Sequence, residues 1–210
     1  MALSVIFAIL ILDQALKIWV KTNMHLGEEF NLLGRYVKIH FTENPGMAFG
    51  MKLGGIWGKK LLTLFRLFAI VLISIYLRRI IKAKMHIMHI VAIAMVLAGA
   101  IGNLIDSAFY GLIFDKGLIY NPEIDYWVGY SGIAQFSSQG YSGFLTGAVV
   151  DMIYCPIITN SQGEAVFFKP VFNIADSAIT IAVFLLIIFY KRIFIAYSNS
   201  EKERELQKEK

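Results

Sequence analysis

The stretch FNIADSAI, residues 172–179, opens the last long apolar run of the chain and decides how we interpret the rest. From Val171 to Tyr190 nearly every residue is hydrophobic, and about 20 such residues at 1.5 Å rise span a bilayer core. Asn173 and Asp176 interrupt the start of this run, and their spacing of three places them on one face of a helix. A carboxylate at membrane depth is costly and usually faces a protein interior or a wet cavity, so Asp176 is a candidate functional residue.

A second carboxylate, Asp151, lies upstream in the apolar segment GAVVDM, residues 147–152. We expect Asp151 and Asp176 to meet. Two carboxylates held close together cannot easily both ionise, so one proton is shared and one pKa rises. The ionised member can take a proton from water while the protonated member donates to a carbonyl oxygen or a leaving amine. The residues alone therefore indicate a membrane aspartyl hydrolase or a proton-linked site.

The composition predicts a single integral membrane domain. Of the 210 residues, 57% are hydrophobic, whereas soluble domains contain roughly 45–50% apolar residues even with glycine counted. The net charge of +5 does not indicate a nucleic-acid partner, because many of the basic residues cluster at the ends of apolar runs, where they set topology. Cys155 is the only cysteine, which excludes an internal disulfide and a thiolate metal cluster. We expect no metal and no cofactor.

Four apolar runs predict four transmembrane helices. The first run has neither the basic start nor the small-residue cleavage site of a signal peptide, so it is expected to stay in the protein. The basic turn RRIIKAK, residues 78–84, marks the cytoplasmic side. Both termini are then cytoplasmic, and the polar faces gather at the outer side of the membrane. The predicted helices cover approximately residues 1–20, 61–77, 87–105 and 171–190.

The segments between the helices predict some β-structure, and residues 21–60 are interpreted as a polar loop with some structure of its own. Residues 36–42 alternate in polarity, which indicates a half-buried strand, and ENPG at 43–46 is a strong turn signal. This strand and turn either shape a groove for an extended peptide through backbone hydrogen bonds or form a plain connecting hairpin. A turn at 160–164 predicts a second hairpin. Residues 129–147 are rich in Gly, Ser and Tyr and are interpreted as an ordered surface loop.

Two further polar groups interrupt apolar runs. Asp13 and Lys17 are four apart, and two interpretations are open for them. Either they form a local ion pair near the interface, with Lys17 snorkelling, or Asp13 points into the same polar cavity as Asp176. Asn103 and Asp106 repeat the Asn-x-x-Asp spacing of the FNIADSAI stretch, again at the end away from the basic turn. Packing alone does not explain this coincidence.

Five short motifs follow one another along the chain. They are DQALK at 13–17, NPGMAF at 44–49, GNLID at 102–106, VVDM at 149–152 and FNIADSAI at 172–179. In this order, on four apolar runs, they resemble the lipoprotein signal peptidase family, also called signal peptidase II. Each motif is weak alone, but the resemblance covers nearly the whole chain apart from the charged tail at 191–210 and part of an insertion at 108–147.

The resemblance implies four transmembrane helices with a small periplasmic β-cradle, approximately residues 34–56 and 148–170, and an inserted periplasmic loop. It implies a multi-pass aspartyl endopeptidase of the bacterial inner membrane, with its active site at the periplasmic face. Such enzymes cut signal peptides from prolipoproteins just before the cysteine that carries a diacylglyceryl group. The implied partners are this substrate and membrane lipid, with no nucleic acid, and the protein is expected to be a monomer.

The residues that match the family's motifs acquire implied roles. Asp151 and Asp176 would be the catalytic pair. The implied substrate-binding or supporting residues are Asp13, Asn44, Gly46, Asn103, Asp106, Asn173 and Ala175.

The chain departs from the family pattern at two places. Ser107 stands where the family usually has Arg, a residue able to bind substrate backbone or a lipid phosphate. Either another cation, such as Arg66 or Lys17, replaces that Arg or the contact is lost. The insertion at 108–147 stands where the family usually has a short connection, and is interpreted as a lid, a substrate-selecting loop or a partner surface.

Two other classes of function are compatible with the sequence. A proton-coupled transporter or channel would use the intramembrane aspartates as a relay. Four helices are few for a transporter, however, and the sequence shows no inverted repeat. A non-catalytic membrane protein that binds lipidated peptides is the other alternative, which the loss of the usual Arg allows.

Overall fold

Long apolar helices form the larger part of the structure, a computed structural model that describes residues 1–34, 36–46, 55–156, 158–159, 165–167 and 170–193. The helices are α1 (Ala2–Asn23), α2 (Gly55–Lys82), α3 (Ile87–Ile105) and α5 (Ile174–Ile188). Helix α3 continues through a π-helical turn, Asp106–Tyr110, into the short helix α4, Gly111–Ile113. Residues 194–210 of the predicted charged tail lie outside the described residues, as do Met47, Ala48 and Phe49 of the NPGMAF motif.

Three of these helices are long and apolar enough to cross a membrane. They are α1, α2, and α3 with its extension to Ile113, with mean hydropathies of 2.0, 2.0 and 2.1. Their outer faces carry exposed hydrophobic side chains such as Phe7 and Phe65, as expected where lipid is the solvent. The fourth predicted span is shorter, because the 15 residues of α5 rise only about 22 Å. The chain is a mostly helical, multi-pass membrane protein.

Helix α2 is longer than its predicted span of residues 61–77. It begins at Gly55 and ends at Lys82 among the described residues, so residues 55–60 are helical where a polar loop was expected. The prediction stopped short because Lys59 and Lys60 interrupt the apolar pattern. Lys59 is nevertheless 2% exposed and donates to the hydroxyl of Ser107, so tertiary contacts accommodate its charge within the helix.

A four-stranded antiparallel sheet lies between the helix ends, with the strand order β1–β2–β5–β8. Its strands are β1 (Glu29–Leu33), β2 (Val37–Asn44), β5 (Val149–Tyr154) and β8 (Val171–Phe172). The strand predicted at 36–42 is therefore present. It continues through Glu43 and Asn44, which were expected in the turn, because Glu43 is buried against Lys21.

Two smaller hairpins accompany the sheet. Strands β3 (Ile119–Asn121) and β4 (Tyr126–Val128) pair within the insertion, and β6 (Ile158–Thr159) pairs with β7 (Ala165–Phe167). The second pair is the hairpin expected around residues 160–164 between strands at 152–158 and 165–168. Its first strand is only Ile158–Thr159, because residues 152–154 belong to β5 of the larger sheet. The turn itself lies outside the described residues.

Close helix contacts bring α1, α3 and α5 together. A Cβ atom added at Gly99 would lie 2.4 Å from the backbone oxygen of Ala175, and one at Gly102 would lie 2.7 Å from a carboxylate oxygen of Asp13. The small residues of α3 thus allow both neighbouring helices to approach its backbone. A hydrophobic cluster that includes Ile6, Leu97 and Ala98 fills the other half of the helix bundle.

The insertion at 108–147 packs into the core instead of extending away from the surface. Tyr110, Phe114 and Ala134 are at most 3% exposed and form one cluster with the end of α1 and the sheet. Its glycines allow the chain to fold back, since a Cβ atom at Gly140 would lie 2.1 Å from the backbone oxygen of Gly111. Most of the predicted surface loop at 129–147 is exposed or half-buried, and Ala134, Thr146 and Gly147 are its buried residues.

One buried ion pair ties the insertion to α1 and the sheet. Lys21 of α1 contacts Glu43 of β2, and both side chains are at most 1% exposed. Glu43 also accepts hydrogen bonds from the Tyr130 hydroxyl at 2.9 Å and the Leu118 amide at 2.8 Å. The Lys21 ammonium lies 5.1 to 5.4 Å from the ring centroids of Phe114, Tyr130 and Tyr141.

The polar groups around this ion pair are arranged to suit its charges. Burial, together with the nearby Glu43 carboxylate, raises the pKa of Tyr130 well above its usual range. The Tyr130 hydroxyl therefore stays protonated and donates to Glu43. Breaking a buried pair by removing one partner is strongly destabilising, because the other charge remains uncompensated.

We predict that Lys21→Met destabilises the protein by about 3–5 kcal/mol, because Glu43 is left buried without its cation. The double variant Lys21→Met/Glu43→Gln should recover most of that loss. Lys38→Met, which breaks an exposed pair with Glu29, is the matched control and should cost at most about 1 kcal/mol. Thermal unfolding in detergent measures all three, and equal losses for Lys21→Met and Lys38→Met would contradict the prediction.

Candidate active site

Two carboxylates meet where the sheet joins α5. Asp151 lies in β5, which pairs with β8, and β8 leads directly into α5. Asn173 is the N-cap of α5: its side chain accepts from the Asp176 amide at 2.9 Å, and Asp176 accepts from the Asn173 amide at 3.4 Å. The Asn-x-x-Asp spacing at 173–176 is therefore a capping box, and the helix begins at Ile174 instead of the predicted residue 171.

Two asparagine side chains join the carboxylates. The amide of Asn173 donates to Asp151 at 2.7 Å, and the amide of Asn103 donates to Asp176 at 2.8 Å. The two asparagines are themselves linked, since Asn173 also donates to the side-chain oxygen of Asn103 at 3.0 Å. Asn103, Asn173, Asp151 and Asp176 thus form one hydrogen-bonded cluster drawn from α3, α5 and the sheet.

The two aspartates differ in their environments. Asp151 is 4% exposed, whereas Asp176 is half-buried. Burial raises the pKa of Asp151 to about 7, and the nearby negative charge of Asp176 raises it further than the Asn173 hydrogen bond lowers it. Near neutral pH, Asp151 can therefore hold a proton, and it is the more buried of the two carboxyl groups. This is the asymmetry that paired carboxylates need to act as acid and base.

A fully buried lysine of α1 contacts the cluster through Asn103. The Lys17 ammonium lies 2.9 Å from Asp13, 2.9 Å from Asp106 and 2.9 Å from the side-chain oxygen of Asn103. Lys17, Asp13 and Asp106 are each 0% exposed. Asp13 also accepts from the Ala175 amide at 2.9 Å. Of the two interpretations offered for Asp13, the ion pair is present but buried instead of snorkelling, and Asp13 belongs to the same polar network as Asp176.

The residues flanking this cluster hold backbone segments. Asn44 accepts from the Gly46 amide at 2.8 Å, which closes the turn after β2, and Gly46 has a φ of +100° that favours glycine. Asp106 accepts from the Val150 amide at 3.2 Å and so fixes β5 next to Asp151.

Two cations from α2 reach the position where the resemblance expects an arginine. The hydroxyl of Ser107 accepts from Arg66 at 3.2 Å and from Lys59 at 3.5 Å. Lys17, the other cation considered for that role, is instead engaged with Asp13 and Asp106.

Sequence reasoning missed two members of the site and one buried carboxylate outside it. Gln14 donates to Asp106 at 2.9 Å and accepts from the Tyr110 hydroxyl at 3.2 Å. Lys59 was assigned to a polar loop, although its spacing to Thr63 and Arg66 is i, i+4, i+7, the pattern of one helix face. Glu43 was assigned to a turn. The helical spacing is the signal that would have identified Lys59.

A cavity of about 280 Å³ opens beside Asp176. Asp176 lines it together with apolar residues and two hydroxyls, so the cavity offers an apolar surface next to the polar cluster. The other lining residues are Pro170, Phe172, Ser177, Thr180 and Ile181. Within the described part of the chain, no group of three His, Cys, Asp or Glu residues is arranged to hold a metal ion.

The raised pKa of Asp151 predicts a pH-dependent stability. The carboxyl group of Asp151 keeps its proton up to a pH of about 7 in the folded state, whereas it loses the proton near pH 3.8 in the unfolded chain. Asp151 therefore destabilises the fold increasingly as the pH rises from 3.8 to about 7. Asp151→Asn should therefore raise the midpoint of thermal unfolding by about 5 °C at pH 8 and by much less at pH 5. Glu123→Gln, at an exposed carboxylate, controls for loss of a surface charge. A variant that is no more stable than the wild type at pH 8 would contradict this assignment.

Known proteins with similar sequences and folds identify the family. A family model described as signal peptidase (SPase) II matches residues 5–192. The lipoprotein signal peptidase of Porphyromonas gingivalis is 39% identical over 201 residues, covering 90% of this chain and 82% of that protein. The lipoprotein signal peptidase of Amoebophilus asiaticus is 32% identical over 189 residues, covering 85% and 72%. That of Staphylococcus aureus is 29% identical over 199 residues, covering 95% and 90%.

Solved structures agree with this assignment. Two that are described as bacterial membrane enzyme structures are similar to the chain, with TM-scores of 0.54 and 0.56 and identities of 27% and 28%. They cover 91% and 89% of this chain, and the chain covers 87% and 90% of theirs. The sequence and the fold therefore lead to one conclusion: the chain belongs to the signal peptidase II family of lipoprotein signal peptidases, and it is a membrane protease.

Proposed function

We propose that the protein removes the signal peptide from diacylglyceryl-modified prolipoproteins by cutting before the lipidated cysteine, with Asp151 and Asp176 as its catalytic pair. The observation that carries the proposal is the pairing of these two carboxylates, through Asn103 and Asn173, in a chain of the signal peptidase II family. Paired carboxylates can hydrolyse an amide without a metal or a covalent intermediate.

The environments of the two aspartates suggest their roles. Asp176 is the more exposed of the two and borders the apolar cavity, so it is suited to hold and deprotonate the attacking water. Asp151, whose pKa burial raises to about 7, is suited to donate a proton to the carbonyl oxygen or the leaving amine. Asn103 and Asn173 then orient the pair, and hydrogen bonds to Asp13 and Asp106 keep the supporting backbone in place.

The substrate is proposed to lie between the sheet and the helices. The Asn44–Gly46 turn ends β2 close to the cluster and offers backbone groups to an extended peptide. The cavity beside Asp176 is open and mostly apolar, which suits a membrane-embedded substrate. No bound metal or cofactor is required by this arrangement of residues.

The orientation in the membrane is also a proposal. Arg78, Arg79, Lys82 and Lys84 cluster at the end of α2, which supports a cytoplasmic location for that end. The carboxylate cluster lies at the opposite end of α3 and so faces the periplasm of a bacterial inner membrane. With α5 as a fourth span, both termini are cytoplasmic, and the protein acts as a monomer.

The test is cleavage of a diacylglyceryl-modified prolipoprotein by the purified full-length protein in detergent. The wild type should release the signal peptide at the bond before the lipidated cysteine. Asp151→Asn and Asp176→Asn should each lower kcat by about 10² to 10⁴-fold, since each removes an acid or a base, and both should still bind substrate. Asp115→Asn, at an exposed carboxylate of the insertion, is the matched control and should cleave normally.

The other outcomes separate the alternatives. A well-folded wild type that binds the lipidated peptide without cutting it would favour a binding protein. Activity that depends on an ion gradient would favour a transporter. Undiminished cleavage by either aspartate variant would show that the catalytic pair is wrongly assigned.

A further inference from the structure

Lys59 and Arg66 of α2 converge on one buried hydroxyl. Ser107 is 0% exposed and lies in the π-helical turn directly after Asp106. It accepts hydrogen bonds from the Lys59 ammonium at 3.5 Å and from the Arg66 guanidinium at 3.2 Å. The two cations are seven residues apart and share one helix face with Thr63, whose hydroxyl donates to the backbone oxygen of Leu145 at 3.2 Å. This face of α2 is held against the π-helical turn and the end of the insertion.

Neither cation has a carboxylate partner among the described residues. The ion pairs found there involve Lys17, Lys21, Lys38 and His40, and no acidic oxygen lies within 4.0 Å of Lys59 or Arg66. Lys59 is nonetheless only 2% exposed. A neutral hydroxyl offsets the cost of burying this charge less well than a carboxylate would, so a structural purpose alone does not explain it. Charged residues inside a membrane protein usually mark a functional site.

Both cations lie close enough to the two carboxylates to interact with their charges. A Cβ atom at Gly46 would lie 3.5 Å from Cδ and 3.8 Å from Nζ of Lys59, so the ammonium borders the turn that ends β2. Arg66 interacts electrostatically with Asp176 and Asp151, and Lys59 interacts with Asp151. Lys59 and Arg66 therefore lie near both that turn and the two carboxylates.

We propose that Lys59 and Arg66 form a binding site for carbonyl oxygens of the prolipoprotein substrate beside the bond that is cut. This inference rests on the proposed function. An anionic ligand would be repelled by the two adjacent carboxylates, whereas a neutral carbonyl oxygen accepts hydrogen bonds from cations without that penalty. Among the described residues, Ser107 is the hydrogen-bond acceptor of both side chains, and each carries further N–H groups besides the one that it donates to Ser107. The carbonyl oxygens can come from the peptide backbone or from the ester groups of the diacylglyceryl substituent.

The experiment measures binding and turnover separately in the full-length protein. Dissociation constants are measured with a diacylglyceryl-modified prolipoprotein in the Asp151→Asn background, and kcat and KM are measured without that change. Lys59→Met and Arg66→Met should each weaken binding by about 10- to 100-fold, the effect of losing a charge-assisted hydrogen bond. Arg66→Lys, which keeps a donor, should recover part of the affinity. Lys60→Met, at the neighbouring lysine that lies over the Trp57 ring, should leave binding within about twofold of the parent.

Protein stability distinguishes a binding role from a structural one. Replacing an unpaired buried cation by a hydrophobic residue of similar size is neutral or stabilising, so Lys59→Met should not lower the unfolding temperature. Weaker binding accompanied by a lower unfolding temperature in both methionine variants would overturn the proposal. In the double variant Lys59→Met/Ser107→Arg, the new cation should restore binding, which a purely structural lysine would not allow.

Two substrates identify the carbonyl source. With an ether-linked dialkyl analogue, an unchanged effect of Lys59→Met indicates backbone carbonyl oxygens, and a lost effect indicates the ester groups; either result supports the proposal. An effect that occurs only when phospholipid is added would indicate a lipid phosphate and overturn it. Unchanged affinity in both methionine variants would overturn the carbonyl-site proposal. If the wild type still cleaved the substrate, the proposed function would remain intact. Absence of cleavage with Lys59-dependent binding would instead reject the proposed function and keep the carbonyl site.

Discussion

The buried ammonium of Lys17 is the contact on which the arrangement of the helices depends. Transferring such a charge out of water costs several kcal/mol, and only close, well-oriented partners offset this cost. Lys17 has three of them, Asp13, Asp106 and Asn103, each at 2.9 Å. Because Asp13 also accepts from the Ala175 amide, the same charge cluster connects α1, α3 and the start of α5. A shift of any of these helices would leave a buried charge or amide without its partner.

The two Asn-x-x-Asp motifs have the same spacing and different structures. Asn103 and Asp106 lie within continuous helical backbone, where three residues' separation puts both on one face of α3 and its π-helical turn. In the other motif, Asn173 is outside the helix as the N-cap of α5. The extended backbone of Asn173 directs its side-chain amide toward Asp151. A residue in helical conformation at that position would not reach Asp151. The carboxylate pair therefore depends on where a helix begins.

Charge burial also explains why the polar loops were harder to interpret than the membrane helices. Lys59 and Glu43 were read as residues of solvated segments, because charged side chains usually are exposed. Each is buried by a contact from a distant part of the chain, Lys59 by Ser107 and Glu43 by Lys21. The insertion behaves similarly in part, since its residues Phe114, Tyr130 and Tyr141 surround the Lys21 ammonium.

Local pattern determined the helices, the main strand and the candidate carboxylates, because hydrophobic periodicity and the cost of a charge in lipid act on neighbouring residues. The third helix, residues 87–105, was predicted with the bounds that the structure has. Only the tertiary structure decided that the sheet joins β2 to β5 and β8, and that Arg66 reaches Ser107. These contacts join residues that are far apart in the chain. Whether such residues meet depends on how whole helices and strands pack against one another, and no single stretch of sequence specifies that packing.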